Sequence, residues 1–210
     1  MSPLNDADRH RVTDARLAAA DAVRELAHSL VAFEADDELL HEIADRARAL
    51  TARLGDGAPR VKPDDGLTRW EHARPDGAEL SCFADCMIAG PANPLSAGGQ
   101  ARRDGDEAVL RVVLRPGFEG LPGRSHGGIV ASLFDEVMGQ ALYMEGIPAY
   151  TAWLRVDFRA AVPVGEPLEL RARVRSREGR KCFIEATLSA GGEVGPTAEA
   201  LFIVPREHAR

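Results

Sequence analysis

The sequence predicts an α+β domain in which an antiparallel sheet wraps round one long central helix, with a helical extension ahead of it. Three observations carry this. An apolar stretch opened by His126-Gly127-Gly128 keeps helical period to about Glu145. Four segments after it alternate apolar and polar residues, the period of strands with one covered face. Turn-forming breaks separate those segments, at Gly146, Pro148, Pro163-Val164-Gly165, Glu178-Gly179 and Gly191-Gly192.

Taken in order, the chain begins with two helical patterns. Val23, Leu26, Ala27, Leu30 and Val31 repeat at three-to-four spacing, as do Leu39, Leu40, Ile43, Ala47, Leu50 and Leu54. Asp36 and Asp37 suit a cap between them and Gly55 suits a stop, so residues 1–55 read as a helical hairpin whose apolar stripes must dock on something. Residues 56–78, rich in Gly, Pro and Asp, read as a linker. The sheet-and-helix domain is expected over 79–206. Leu80, Cys82, Ala84, Cys86 and Ile88 alternate as a first strand, and Ala108, Leu110, Val112 and Leu114 share a face in a second over 107–115. Turn-rich loops at 90–99 and 117–123 flank it. After the long helix, strands follow around Ala152 to Phe158, Leu168 to Val174, Cys182 to Leu188 and Ala198 to Val204.

Composition narrows the function. A net charge of −7 over 210 residues disfavours nucleic acid or an anionic membrane as the main partner. The start carries no secretory pattern and no apolar run reaches membrane-spanning length. Three cysteines do not make a disulfide framework, so a cytoplasmic, reduced protein is expected. Cys82 and Cys86 with the distant His72 form a weak zinc pattern. Both cysteines fall on the apolar face of one expected strand, where packing explains them, and no metal is expected.

The central helix carries the chemistry. Gly128, Ser132, Asp135, Gly139 and Leu142 share one stripe, beside a broad apolar stripe of Val130, Leu133, Phe134, Val137, Ala141 and Met144. The small stripe lets a ligand or another backbone approach closely. It holds the Asp135 carboxylate roughly 10 Å along the axis from the helix start. Unpaired N–H groups at a helix N-terminus stabilise developing negative charge. A carboxylate near such donors suggests hydrolysis of an activated carbonyl.

From about Asn93 to Pro205 the chain resembles the hotdog-fold acyl-CoA thioesterases, of the PaaI-like and carboxyl-terminal-modulator type. The matching residues are Glu119-Gly120, then His126-Gly127-Gly128 with Asp135 nine positions after the histidine. Thr151-Ala152 with Leu154, Phe158-Arg159, Pro163, Glu178-Gly179-Arg180-Lys181 and Glu199-Ala200-Leu201-Phe202 follow in order. The resemblance implies that Gly128 and its neighbours, Gly127 included, hold the thioester carbonyl oxygen. It implies that Asp135 activates water or attacks directly, and that Thr151 holds the water or the aspartate. It also implies that each site is built by two subunits of a homodimer or dimer of dimers. Coenzyme A is then part of the substrate and no separate cofactor is required. Gly123-Arg124-Ser125 stand where some PaaI-like enzymes carry a further Asn or His, which leaves the oxyanion to backbone and gives His126 a structural alternative, orienting the turn.

Among the remaining candidates, Glu119 is expected to order the loop over the site and Trp153 to bound it. Arg180 and Lys181 close a basic run with Arg171, Arg173, Arg175 and Arg177. That run reads either as a solvated sheet face or as a patch for coenzyme A phosphates. Glu136 reads as a solvated helix residue. A non-catalytic acyl-CoA-binding or regulatory protein on the same fold is the alternative function. An acyl hydratase is a third, for which Asp36 and His41 have a suggestive spacing but stand in the wrong helix.

Overall fold

The computed structural model describes residues 12–60, 70, 72–81 and 83–208. Helices α1 (Asp14–Ala32) and α2 (Asp37–Gly55) come first. The body follows: β1 (Gln100–Asp104), β2 (Glu107–Val113), a short hairpin β3–β4 (Glu119–Leu121, Arg124–Ser125), α3 (Gly127–Met144), β5 (Tyr150–Asp157), β6 (Pro167–Glu178), β7 (Lys181–Ala190) and β8 (Glu193–Ile203). Six strands form one antiparallel sheet in the order β1-β2-β6-β7-β8-β5. Helix α3 packs across one face of that sheet. This is the predicted α+β architecture.

The core lies between α3 and the sheet. Leu133, Phe134, Val137, Met138, Ala141 and Leu142 on the helix are fully buried, as are Leu110, Leu170 and Cys182 on the strands. The alternation seen in the sequence decides this: Leu168, Leu170 and Ala172 turn inward. On the outer face Arg171 meets Glu107, Glu169 and Asp104, Arg173 meets Glu185, and Arg175 lies 3.9 Å from Glu199. The first half of the basic run, Arg171 to Arg175, is therefore matched by carboxylates.

Two expected elements differ. Where the sequence predicts a first strand, residues 84–89 instead form turns. A bridge from Glu79 to Arg102 and the Leu80 N–H on Ala101 O tie the segment to the sheet, and Leu80 and Ile88 are buried in the core. Gly90 folds so tightly against this segment that a Cβ there would lie 2.2 Å from the Cys86 nitrogen. Small Ala and Cys side chains at alternate positions offer too little surface to hold an extended segment against that turn. Cys82 lies outside the described residues. The first strand is instead β1, just after the expected loop at 90–99, closed on β2 by a tight turn with Gly105 at φ +63°.

The N-terminal helices form, and Asp36 caps α2 by accepting the Leu39 N–H at 2.8 Å. They do not form a packed hairpin: α2 buries no residue, and α1 contacts the body rather than α2. Of the expected linker, residues 61–69 and 71 lie outside the described residues. Residues 72–78 are fastened to the end of α3, with the Arg74 N–H on Met144 O at 2.8 Å. No helix among the described residues is long and apolar enough to cross a membrane.

Candidate active site

His126 opens α3 with extended backbone, and its Nδ1 accepts the Gly128 N–H at 3.0 Å. This is a side-chain cap on an N-terminus that lacks Ser, Thr or Asp. The expected oxyanion donor, Gly128, is thereby engaged within its own helix. The Gly127 N–H, one residue earlier, makes no hydrogen bond among the described residues. Of the two expected glycines, Gly127 is thus the one whose amide is left open at the helix tip. His126 also fixes the tip from outside, its own N–H on Phe118 O at 2.9 Å. Gly120 lies flat against it: a Cβ there would sit 2.9 Å from the His126 Cα. The Glu119 carboxylate accepts the Gly123 N–H and closes the β3–β4 hairpin over the tip.

Around Gly127 runs an open groove of about 530 Å³, bordered by Leu121, Arg124, Phe158 and Arg159. Phe158 is more than half exposed and packs its ring edge on Gly127. Arg124 and Arg159 were not singled out from the sequence as binding residues. Their placement depends on the loop after β5 folding back to the helix tip, which local pattern does not reveal.

Two turns along α3 lies the second half. The Asp135 carboxylate is exposed on a helix that is otherwise largely buried, and accepts the Thr151 hydroxyl at 2.7 Å. Thr151 reaches it because β5 is the last strand of the sheet and runs beside α3. Asp135 and Thr151 open into a cleft of about 200 Å³ walled by Trp70, Phe83, Tyr150 and Phe202. Glu136, expected at a solvated position, also lines this cleft. Its Oε1 accepts Gln140 Nε2 at 2.8 Å and its Oε2 accepts the Cys86 thiol at 3.1 Å. Burial and the neighbouring Glu136 charge push the Cys86 thiol pKa up, so it stands as a neutral donor.

Trp153 does not bound this cleft. A bulge between Thr151 and Trp153 puts Trp153 opposite Leu201, on the outer sheet face, whereas Thr151 pairs with Phe202 on the helix side. Arg180 and Lys181 sit at the β6–β7 turn, two strands from Thr151, with Arg180 donating to Val204 O. Neither lines the groove or the cleft. Among the described residues no group of three potential ligands could hold a metal. Asp36 and His41 stay on α2 as a cap and an exposed side chain.

Within one chain the groove and the cleft share no lining residue. The eight residues from Gly127 to Asp135 put roughly 12 Å of helix axis between them.

Residues 123–196, from the β3–β4 hairpin through most of the sheet, match the thioesterase superfamily model. Over those residues the chain is similar to the thioesterase superfamily, and its architecture is the hotdog fold. Acyl-coenzyme A thioesterase THEM4 of Rattus norvegicus is 33% identical over 88 residues, 41% of this chain and 38% of the rat protein. Its Xenopus laevis counterpart is 35% identical over 102 residues, 46% of each. The chain thus spans less than half the length of these curated relatives. A crystal structure of a thioesterase superfamily protein superposes with a TM-score of 0.79 at 25% identity, covering 91% of this chain and 92% of that one. That coverage takes in most of the thioesterase body and of the N-terminal region alike.

Proposed function

We propose that this protein hydrolyses an acyl-CoA thioester to free coenzyme A and a carboxylic acid, in a site shared by two copies of the chain. The observation that carries this reading is the exposed Asp135 carboxylate, held by the hydroxyl of Thr151 on the edge strand β5. A carboxylate on a helix this apolar gains no packing energy; its placement suits a general base or nucleophile.

The Gly127 N–H of one subunit receives the thioester oxygen at the positive end of α3, where negative charge develops as water or the carboxylate adds. Asp135 of the other subunit faces the same carbon. Loss of the thiolate as coenzyme A completes the reaction, with the proton removed from water passing to the leaving sulfur. In the direct-attack variant an acyl-aspartate anhydride forms first and water then cleaves it. Arg124 and Arg159 border the groove through which the coenzyme A phosphates run. Dimerisation supplies the missing partner: β5 has one unpaired edge, and Tyr150 and Trp153 on it are 61% and 42% exposed. Pairing β5 with β5 of a second copy covers them and brings each Asp135 toward the other chain's helix tip. A reduced, cytoplasmic location accords with the half-buried free thiol of Cys86.

Asp135→Asn keeps the volume and the Thr151 hydrogen bond. Thiol release from an acyl-CoA series should fall by about 10²–10⁴-fold, with unchanged circular dichroism and melting. Full activity in that variant rejects the role of Asp135. Tight acyl-CoA binding with no turnover by the unaltered protein, at any chain length, selects the non-catalytic alternative.

A further inference from the structure

We infer that the cleft beside Asp135 is the acyl pocket, and that Glu136 tunes it to neutral acyl groups bearing a hydrogen-bond donor, against groups that end in a carboxylate. The inference rests on the hydrolase reading and names the substrate class of that site.

The far wall carries it. Residues outside the thioesterase-model match supply much of the lining: Trp70, Phe83 and Cys86 come from the turn-rich segment before β1. They lie over α3 where Gly139 leaves space: a Cβ there would touch the Trp70 ring at 3.8 Å. The result is an aromatic cleft whose charged groups are two carboxylates, Asp135 bonded by Thr151 and Glu136 bonded by Gln140 and Cys86, with Trp70 and Tyr150 also in its wall. Each Glu136 oxygen holds one donor, and a carboxylate oxygen has room for two. One further O–H or N–H is therefore accepted at no loss of existing bonds. An acyl group ending in a carboxylate meets the opposite conditions. It must leave water beside two like charges; the Cys86 thiol and one Gln140 N–H are already turned to Glu136, and the neutral Trp70 Nε1–H, buried without a partner, does not offset two carboxylates.

The test starts from wild-type protein and a saturated acyl-CoA series, which fixes the chain length hydrolysed best. At that length kcat/KM is compared for the plain, ω-hydroxy and ω-carboxy thioesters. The wild type should favour the ω-hydroxy over the ω-carboxy thioester by about a hundredfold, and Glu136→Gln should narrow that ratio to within about tenfold. Cys86→Leu provides a second readout: it fills the far wall and should lower kcat/KM for that chain length at least tenfold while sparing acetyl-CoA. Equal turnover of hydroxy and carboxy thioesters by wild type, or a ratio untouched by Glu136→Gln, overturns the inference and leaves the hydrolase standing. Should E136Q fail to fold, an unselective effect of Cys86→Leu overturns it in the same way. No turnover of any acyl-CoA removes the hydrolase reading, and this inference with it.

Discussion

Helices α1 and α3 are turned opposite ways on the same body. Helix α3 buries Leu133, Phe134, Val137 and Leu142 and leaves Asp135 in the open. Helix α1 buries Arg24 and His28 and leaves Val23, Leu26, Leu30 and Val31 outside. One is held by apolar area, which is strong and non-directional. The other is held by a few aimed polar contacts. Arg24 donates to Pro91 O and Asn93 O at 3.2 and 2.8 Å, Glu25 clasps Arg115 through two bonds, and His28 Nδ1 accepts the Gly117 N–H at 3.1 Å. Their stabilities and their responses to pH should differ accordingly.

The largest break is expected in α3. Phe134→Ala removes a fully buried ring between helix and sheet and should cost about 3–5 kcal/mol of unfolding free energy, read from a denaturant melt. Arg24→Ala should cost less, about 1.5–3 kcal/mol, because it frees two carbonyls rather than opening a core cavity. Its signature is local: amides of α1 should exchange faster while those of α3 hold, as measured by hydrogen exchange.

The contrast explains what the sequence disclosed. Helix α3 and strands β5 to β8 were legible because burial follows period, and period is visible in one chain. The candidate site was partly legible: helix period put Asp135 on its stripe, and the family resemblance pointed to Thr151, which the structure places beside it. The engagement of the Gly128 amide by the His126 ring was not, since it depends on a side-chain orientation that spacing does not give. Trp153 follows the strand's alternation to the outer face, whereas the bulge between Thr151 and Trp153 turns Thr151 to the helix side without a local signal. Glu136 read as solvated because its partners, Cys86 and the aromatic wall, arrive from fifty or more residues upstream in a segment with no regular structure. The apolar stripe of α1 pointed to the wrong docking face, since Arg24 and His28 outcompete it by hydrogen bonding. The matched basic run on the sheet needed the cross-strand register to be read.

Acidification separates the two helices without mutation. Burial, reinforced by the Arg115 charge and opposed by Glu25, holds the His28 pKa below the 6.5 of a free imidazole. Neutral His28 is the form whose Nδ1 accepts the Gly117 N–H, with its ring edge-on to Phe118 at 5.1 Å. An unfolded chain takes up this proton first, so the stabilisation is complete above about pH 6.5 and is lost as pH falls from there through the lower folded value. Exchange protection in α1 should decline over that interval, and in His28→Gln the decline should flatten. Helix α3 should not follow it. A parallel loss in both helices would mean that the two regions unfold as one unit.

The smallest effect belongs to α2. Leu39, Leu40, Leu50 and Leu54 are all 41% or more exposed, and no residue of the helix is buried. Its order rests on the Asp36 cap, on Glu42–Arg46 and Asp45–Arg48 pairs, and on propensity. Exposed pairs of this kind contribute tenths of a kcal/mol each. Leu54→Ser should therefore shift the unfolding free energy of the body by no more than about 0.5 kcal/mol, whereas Asp36→Ala should lower the helicity of α2 alone. The informative comparison is concentration. If the melt of Leu54→Ser matches wild type at every protein concentration, α2 stabilises nothing in the assembled protein. A deficit that grows as the protein is concentrated would show that its leucines are buried between copies, and would move α2 from the loosely held region to the tightly held one.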